Sequence, residues 1–329
     1  MDVVYLDYRK AFDTVPHQRL LTKLRNTGFG GGLIKWVGSF LSNRLMRVVV
    51  NGQFSSWSEV VSGVPQGSVL GPLLFLLYVN DLPDQIKTNI RMFADDTKIW
   101  SQVSCLGDTV KLQEDLDMLG EWSEQWLLNF NPQKCKLMHL RHNIDTKYHI
   151  TQDNQEWNIQ VVQQEKDLGV LTSSDLAVSH QCTEAASRAN RVLGMVKRQF
   201  KAMDKESILI IYKGFVRPHL EYAIQAWSPY LRRDIDCLEK IQRRATKLVE
   251  GFYKVPYEQR LKRLKLTSLE KRRQRGDLIE TYKILTGKER VDPNCFFILD
   301  KKHYSTRGHE LKLYTRRSRL ELRKNFFSQ

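Results

Sequence analysis

Three aspartates stand at the ends of apolar strand-like runs, where carboxylates are costly unless something compensates them. Asp7 closes Val3-Val4-Tyr5-Leu6, and Asp95-Asp96 follow Arg91-Met92-Phe93-Ala94. An acid in such a setting is tolerated when it is paired or binds a metal. If the two strands are neighbours, their ends gather like charges that need a cation, and hard oxygen ligands suit Mg²⁺. Read alone, Asp95-Asp96 is better explained as a hairpin turn, since Asp is a common turn residue. The surrounding pattern decides between the two.

The elements that must position these acids can be read from periodicity and turn residues. Val3 to Asp7 reads as a short buried strand. Leu20, Leu21 and Leu24 give a helix over 17–26, which Gly28 to Gly32 break, and a second short helix covers 33–42. Val48-Val49-Val50 before Asn51-Gly52 is a hairpin signal. The turn Ser62 to Ser68 precedes an apolar helix from about Val69 to Asp81, ended by Pro83. Ile90 to Val103 reads as a hairpin with its tip at Asp95-Asp96. A helix at about 109–128, a turn at Asn131-Pro132 and a strand at 135–140 follow. Beyond about residue 175 the pattern is helical, over 180–200, 204–220, 234–250 and 257–285. The last 40 residues are rich in Lys, Arg, His and Tyr and read as a tail.

The 329 residues allow one large domain or two modest ones, and 41% hydrophobic with 27% charged residues is ordinary globular composition. The longest apolar stretch, Val69 to Val79, is too short to span a bilayer, and the opening residues do not read as a signal peptide. Five widely spaced cysteines, without zinc-finger spacing, argue for reduced thiols in an intracellular protein. The eight histidines show no ligand spacing. The net charge of +15 is unevenly placed. Residues 1–170 hold 17 Lys+Arg and 19 Asp+Glu, a net of −2; residues 171–329 hold 35 and 18, a net of +17. That balance suggests a polyanion gripped by the second half, with a basic solvated surface as the plainer alternative.

An ordered set of motifs gives the acids their company. Leu6-Asp7-Tyr8-Arg9-Lys10-Ala11-Phe12-Asp13-Thr14-Val15-Pro16-His17 resembles the first palm motif of non-LTR (LINE-type, jockey-like) retrotransposon reverse transcriptases. Ser62-Gly63-Val64-Pro65-Gln66-Gly67-Ser68-Val69-Leu70-Gly71-Pro72 resembles their second motif, and Phe93-Ala94-Asp95-Asp96 their third. Asn131-Pro132-Gln133-Lys134-Cys135 is similar to the fourth, and Asp167-Leu168-Gly169-Val170 to the fifth, the primer grip. Cys237 to Lys247 resembles the family's thumb.

The resemblance implies an α+β chain: an antiparallel palm sheet with packed helices over 1–174, a basic helical thumb over 175–290 and a basic extension over 291–329. The family's fingers motifs and endonuclease lie upstream of what this chain contains. Asp7 and Asp95 would hold two Mg²⁺ ions, with Mn²⁺ as a substitute, which stabilise the attacking 3′-oxygen and the leaving pyrophosphate. The carbonyl of Tyr8 would complete one coordination sphere, and Asp96 would be an auxiliary acid. Phe12 falls at the steric gate that excludes a nucleotide 2′-hydroxyl; its alternative is a core aromatic. Asp13 is expected to cap or pair locally, without a catalytic role. Pro65, Gln66 and Gly67 would lie under the incoming base and sugar, with glycines 63 and 67 allowing close backbone approach. Lys134 is a candidate general acid for pyrophosphate, with Lys136 competing and a plain surface lysine equally open.

On the thumb-like helix, Leu238, Ile241, Ala245, Leu248 and Val249 make one stripe, and Lys240, Arg243, Arg244 and Lys247 lie opposite. Four like charges there invite phosphate contact. The expected partners are an RNA template, a DNA primer and dNTPs, in nucleus and cytoplasm, with no membrane and no small-molecule cofactor. The second reading is a catalytically silent remnant that only binds nucleic acid. An RNA-dependent RNA polymerase is disfavoured, because Phe12 would obstruct ribonucleotides.

Overall fold

Val3, Val4 and Tyr5 favour extended backbone, and the computed structural model puts them in Asp2–Leu6, the middle strand of five. The structure describes residues 1–142, 144–200, 203–300, 311–315 and 317–328. Across the sheet the order is Gln160–Val161, Lys136–His139, Asp2–Leu6, Asp96–Ser101, Asn89–Phe93. Every neighbouring pair is antiparallel except the outermost, Gln160–Val161 on Lys136–His139. A middle strand has no free edge, which suits the buried Val3, Val4 and Leu6.

Contacts divide the chain into two compact units, Met1–Leu168 and Gly169–Gln329. In the first, amphipathic or apolar helices supply much of the core, among them Gly31–Leu41, which buries Ile34, Val37 and Leu41. His17–Asn26 buries Leu20, Leu21 and Leu24; Leu70–Val79 buries Leu74, Phe75, Tyr78 and Val79; Thr109–Trp126 buries Leu112, Leu116, Leu119 and Trp122. Each such side chain contributes about 1.5–3 kcal/mol by burial, and Phe75→Ala would cost about 3–5 kcal/mol. Lys23 is also buried there: its Nζ donates to the Tyr78 carbonyl and pairs with Asp81, and the Trp122 and Trp126 rings lie 4.5 and 4.0 Å away. Rings and carboxylate together offset the desolvation of that charge.

The Asn51-Gly52 turn forms as expected, with both residues at positive φ, between Val49–Val50 and Gln53–Phe54. The hairpin near residue 95 is shifted. Its turn is Ala94-Asp95, while Phe93 pairs with Asp96, so Asp96 opens a strand rather than sharing the tip. Ala94 sits at φ 55°, a left-handed conformation that costs a residue with a Cβ roughly 1–2 kcal/mol.

The second unit is helical after the strand Val170–Ser173. Ser179–Gln199 lays Cys182, Ala185, Ala189 and Leu193 in a core shared with Leu238, Ile241 and Ala245 of Arg232–Thr246. The segment expected as one helix over 204–220 runs through a π-helical turn, Tyr212–Val216, before Arg217–Glu221. Pro218 lacks the N–H for a regular ladder there. The single helix expected over 257–285 is two, Tyr257–Leu264 and Leu269–Leu285. Lys265 turns left-handed to end the first, and the Ser268 hydroxyl caps the second by accepting from Lys271 N–H. Glu239 and Gln242 of Arg232–Thr246 form a buried hydrogen-bonded group with Tyr212 and Tyr257. Among the described residues no helix is long and apolar enough to cross a membrane. The tail expected over 291–329 falls in part on 301–310, 316 and 329, which lie outside the described residues.

Candidate functional site

The acids meet because of strand register. Leu6 pairs with Thr97 at the end of the antiparallel pair, so Asp7 and Asp96 are the residues next to its last rung, and both line one cavity. Asp95 is adjacent in the turn. Beyond Leu6 the chain keeps a second neighbour: Asn131 N–H donates to the Asp7 carbonyl at 2.7 Å, and Arg9 N–H to the Asn129 carbonyl at 2.8 Å. These bonds flank the Tyr8–Phe130 bridge, a pair whose own N–H and C=O groups turn outward, so the Tyr8 carbonyl faces away from Phe130. The Tyr8 ring is buried against Phe130, 4.6 Å between centroids, which fixes the backbone that follows Asp7.

Asn131 organises the next motif. Its carbonyl accepts from both Lys134 N–H and Cys135 N–H, and the resulting turn sets the Lys134 ammonium 3.4 Å from Asp7 Oδ1. Lys136 reaches instead to the Gln133 carbonyl and the Gln160 side chain. The Cys135 thiol, pushed up to about 11 by burial, lies against the Asp7 carbonyl at 3.9 Å and stays neutral.

Asp7, Asp96, Lys98, Lys134, Glu165 and Asp167 line one open cavity. Lys98 pairs with Asp167. Burial, followed by the like charges of Asp95, Asp167 and Asp7, raises the Asp96 carboxyl above its ordinary value. A cation here would relieve that repulsion. The donors are hard oxygens on strand ends, which fits Mg²⁺ or Mn²⁺.

Phe12, Asp13 and Gln66 form a second grouping. Phe12 lies in Ala11–Thr14, half-buried, with its ring stacked on Phe75 at 4.4 Å. Val64 N–H donates to the Phe12 carbonyl at 2.7 Å and Gly63 N–H to the Val15 carbonyl at 2.8 Å. A ring nitrogen of His17 meets the Gly63 carbonyl at 2.9 Å. Gly63, at φ 88°, presses so closely that a Cβ would lie 2.7 Å from the Asp13 carbonyl oxygen, so only glycine fits. Pro65 is buried, whereas Gln66 and Gly67 are exposed, with Gln66 Nε2 donating to Asp13 Oδ1 at 2.9 Å.

Of the fifth motif, Asp167 and Leu168 border the acidic cavity, and Leu168 and Gly169 turn left-handed in succession before Val170. In the second unit Lys240, Arg243, Arg244 and Lys247 are exposed, while Leu238, Ile241, Ala245 and Val249 are buried. The Arg243 guanidinium lies 4.4 Å from the Tyr257 ring, and Arg244 donates to Asn190 at 2.8 Å.

Sequence reading missed one polar cluster. Among the described residues, Asp2, His139 and His142 are grouped closely enough to suggest a metal site. Their hydrogen bonds argue for a clasp instead. Asp2 is fully buried: Oδ1 meets ring nitrogens of His139 and His142 at 2.8 and 2.6 Å, and Oδ2 accepts from Thr146 and Tyr148 at 2.6 and 2.8 Å. His142 Nδ1 accepts the Ile144 N–H, so its proton sits on Nε2, which donates to Asp2 and offers no lone pair to an ion. The signal was His139-x-x-His142 leaving a strand, too plain to stand out.

The family model described as reverse transcriptase (RNA-dependent DNA polymerase) matches residues 3–203. The chain is similar to the RNA-directed DNA polymerase from mobile element jockey of Drosophila melanogaster, 29% identical over 75% of this chain. It is equally similar to the probable RNA-directed DNA polymerase from transposon X-element of the same fly, again 29% identical over 75% of this chain. In both cases it spans 28% of the relative's length. A solved telomerase from Candida albicans aligns over 82% of this chain and 51% of its own, at 11% identity and TM-score 0.41, too slight a likeness to argue from.

Proposed function

Because the chain belongs to the reverse transcriptase (RNA-dependent DNA polymerase) family, we propose that it carries the nucleotide-adding centre of an RNA-directed DNA polymerase of a non-LTR retrotransposon. The observation that carries this reading is that Asp7 and Asp96, the residues next to the last Leu6–Thr97 pair, line one cavity together with Lys134. Reverse transcriptases use divalent metals. Asp7 and Asp95, helped by Asp96 and the Tyr8 carbonyl, are the residues that would hold two Mg²⁺ ions. When bound, such ions stabilise an attacking 3′-oxygen and a leaving pyrophosphate.

The chain's own residues divide the remaining work. Lys134 brings a proton donor to the same cavity, on the Asp7 side. Phe12, braced by Phe75, gives the wall that selects deoxynucleotides. Gln66 and the backbone at Pro65 and Gly67 meet base and sugar. Leu168, Gly169 and Val170 hold the primer end, and Lys240, Arg243, Arg244 and Lys247 contact phosphates of an RNA template and DNA primer. The setting proposed is nuclear and cytoplasmic.

Primer extension tests the reading: a DNA primer on an RNA template, dNTPs and Mg²⁺, with this chain alone and with the upstream part of a jockey-type relative supplied. Template-dependent extension that Asp95→Asn abolishes supports it. Nucleic-acid binding without extension in either arrangement would establish the silent binder instead.

A further inference from the structure

We infer that Asp13 is a positioning residue for Gln66: its carboxylate claims the Gln66 amino group and so decides which hydrogen-bonding atoms Gln66 turns to a nucleotide. The inference deepens the nucleotide-addition reading and rests on it. A glutamine carboxamide presents a donor and an acceptor of nearly equal size, and an exposed one can swap them by rotation. A carboxylate can only accept. Gln66 Nε2 donates to Asp13 Oδ1 at 2.9 Å, so the swap is resolved in one direction, and Oε1 with the second N–H remains for a ligand. A bond to a charged acceptor is stronger than a neutral one, which suits it to hold an exposed side chain.

The backbone around Asp13 is held by other means. Its N–H donates to the Lys10 carbonyl at 2.8 Å, and its own carbonyl accepts from the Ser62 hydroxyl at 2.9 Å. Gly63 and Val64 bond the carbonyls of Val15 and Phe12. Removing the carboxylate therefore frees the Gln66 side chain while the two segments stay joined. Asp13 acts on Gln66 and touches no reacting atom.

Steady-state single-nucleotide addition to a primed RNA template decides the matter, using Asp13→Ala, Asp13→Asn, Gln66→Ala and the Asp13→Ala/Gln66→Ala double variant. It is run with the chain alone and with the upstream part of a relative supplied. Asp13→Ala should raise KM for dNTP by about 3- to 15-fold, the loss of roughly one hydrogen bond, with kcat within about two-fold. Asp13→Asn, whose Oδ1 can accept the same N–H but whose Nδ2 can equally turn to Gln66 Oε1, should recover only part of that loss and fall between Asp13→Ala and the parent. The double variant should be no worse than Gln66→Ala, because the two residues act as one unit. An unchanged KM in Asp13→Ala, an Asn variant as poor as Ala, additive effects in the double variant, or a fall in kcat and Tm with KM intact each overturn the assignment. If the parent adds no nucleotide in either arrangement, the functional reading itself fails and this inference falls with it, an outcome distinct from any in which the parent extends.

Discussion

The Lys134 ammonium lies 3.4 Å from Asp7 Oδ1, joining residues 127 positions apart on the wall of one cavity. Lys134 is exposed and Asp7 half-buried, so solvent screens the pair and it contributes little to stability, about 0–1 kcal/mol. Its interest is placement. If Lys134 donates a proton during nucleotide addition, Lys134→Gln should leave thermal stability nearly unchanged and slow single-turnover addition by about 10²-fold or more. Equal single-turnover rates for parent and variant would reduce Lys134 to a counter-charge for Asp7.

Phe12 should act as a wall rather than as a core anchor alone. Phe12→Val removes the stack on Phe75, which costs about 0.5–1.5 kcal/mol beyond the burial given up. It should also admit ribonucleotides, because steric exclusion is a repulsive device that vanishes with the ring. Competition between dNTP and rNTP measures this. Unchanged selectivity in a folded variant would return Phe12 to the core.

Chemistry and grip should separate by residue. Asp95→Asn should abolish nucleotide addition with little change in affinity for primer–template. Neutralising Lys240, Arg243, Arg244 and Lys247 together should weaken binding. The slope of log K against log salt should then shrink by about 0.7–0.9 for each phosphate the helix no longer neutralises. A salt titration in which the neutralised variant overlays the parent would leave that helix face as solvated surface.

The Asp2 clasp should show itself in acid. Four donors hold the buried carboxylate below its ordinary pKa of 3.8, against the raising effect of burial. A depressed carboxylate contributes stability that is present above the unfolded-state value and lost as pH falls through the folded-state value. Asp2→Asn should therefore be less stable than the parent at neutral pH by about 1–3 kcal/mol, with the gap narrowing below the unfolded-state value. Denaturant melts across that range measure it. A chelator should leave Tm untouched, and a Zn²⁺-dependent rise in the parent's Tm that His142→Ala removes would show an ion site after all.

The local code was plain in the residues. Val3 to Leu6, the Asn51-Gly52 turn, and the helices at 17–26 and 109–126 follow from alternation, turn chemistry and 3.6-residue spacing, because each rests on neighbours in the chain. The motif acids could be singled out only by their company: an acid closing an apolar strand is locally anomalous, yet Asp95-Asp96 alone reads as a turn, and it was the ordered motifs around it that made the resemblance. What lay outside the sequence were pairings made by polar side chains across long separations. Asp13 with Gln66 spans 53 residues, Asp7 with Lys134 spans 127, and Asp2 with His139 and His142 spans 137 and 140. A hydrogen bond leaves no periodic trace, and its partner is chosen by register and by close backbone approaches such as Gly63 on Asp13. The placement of Asp96 as the first strand residue was decided the same way, by the pairing of Leu6 with Thr97 and Phe93 with Asp96. Sequence determined which groups were available; the sheet decided which of them met.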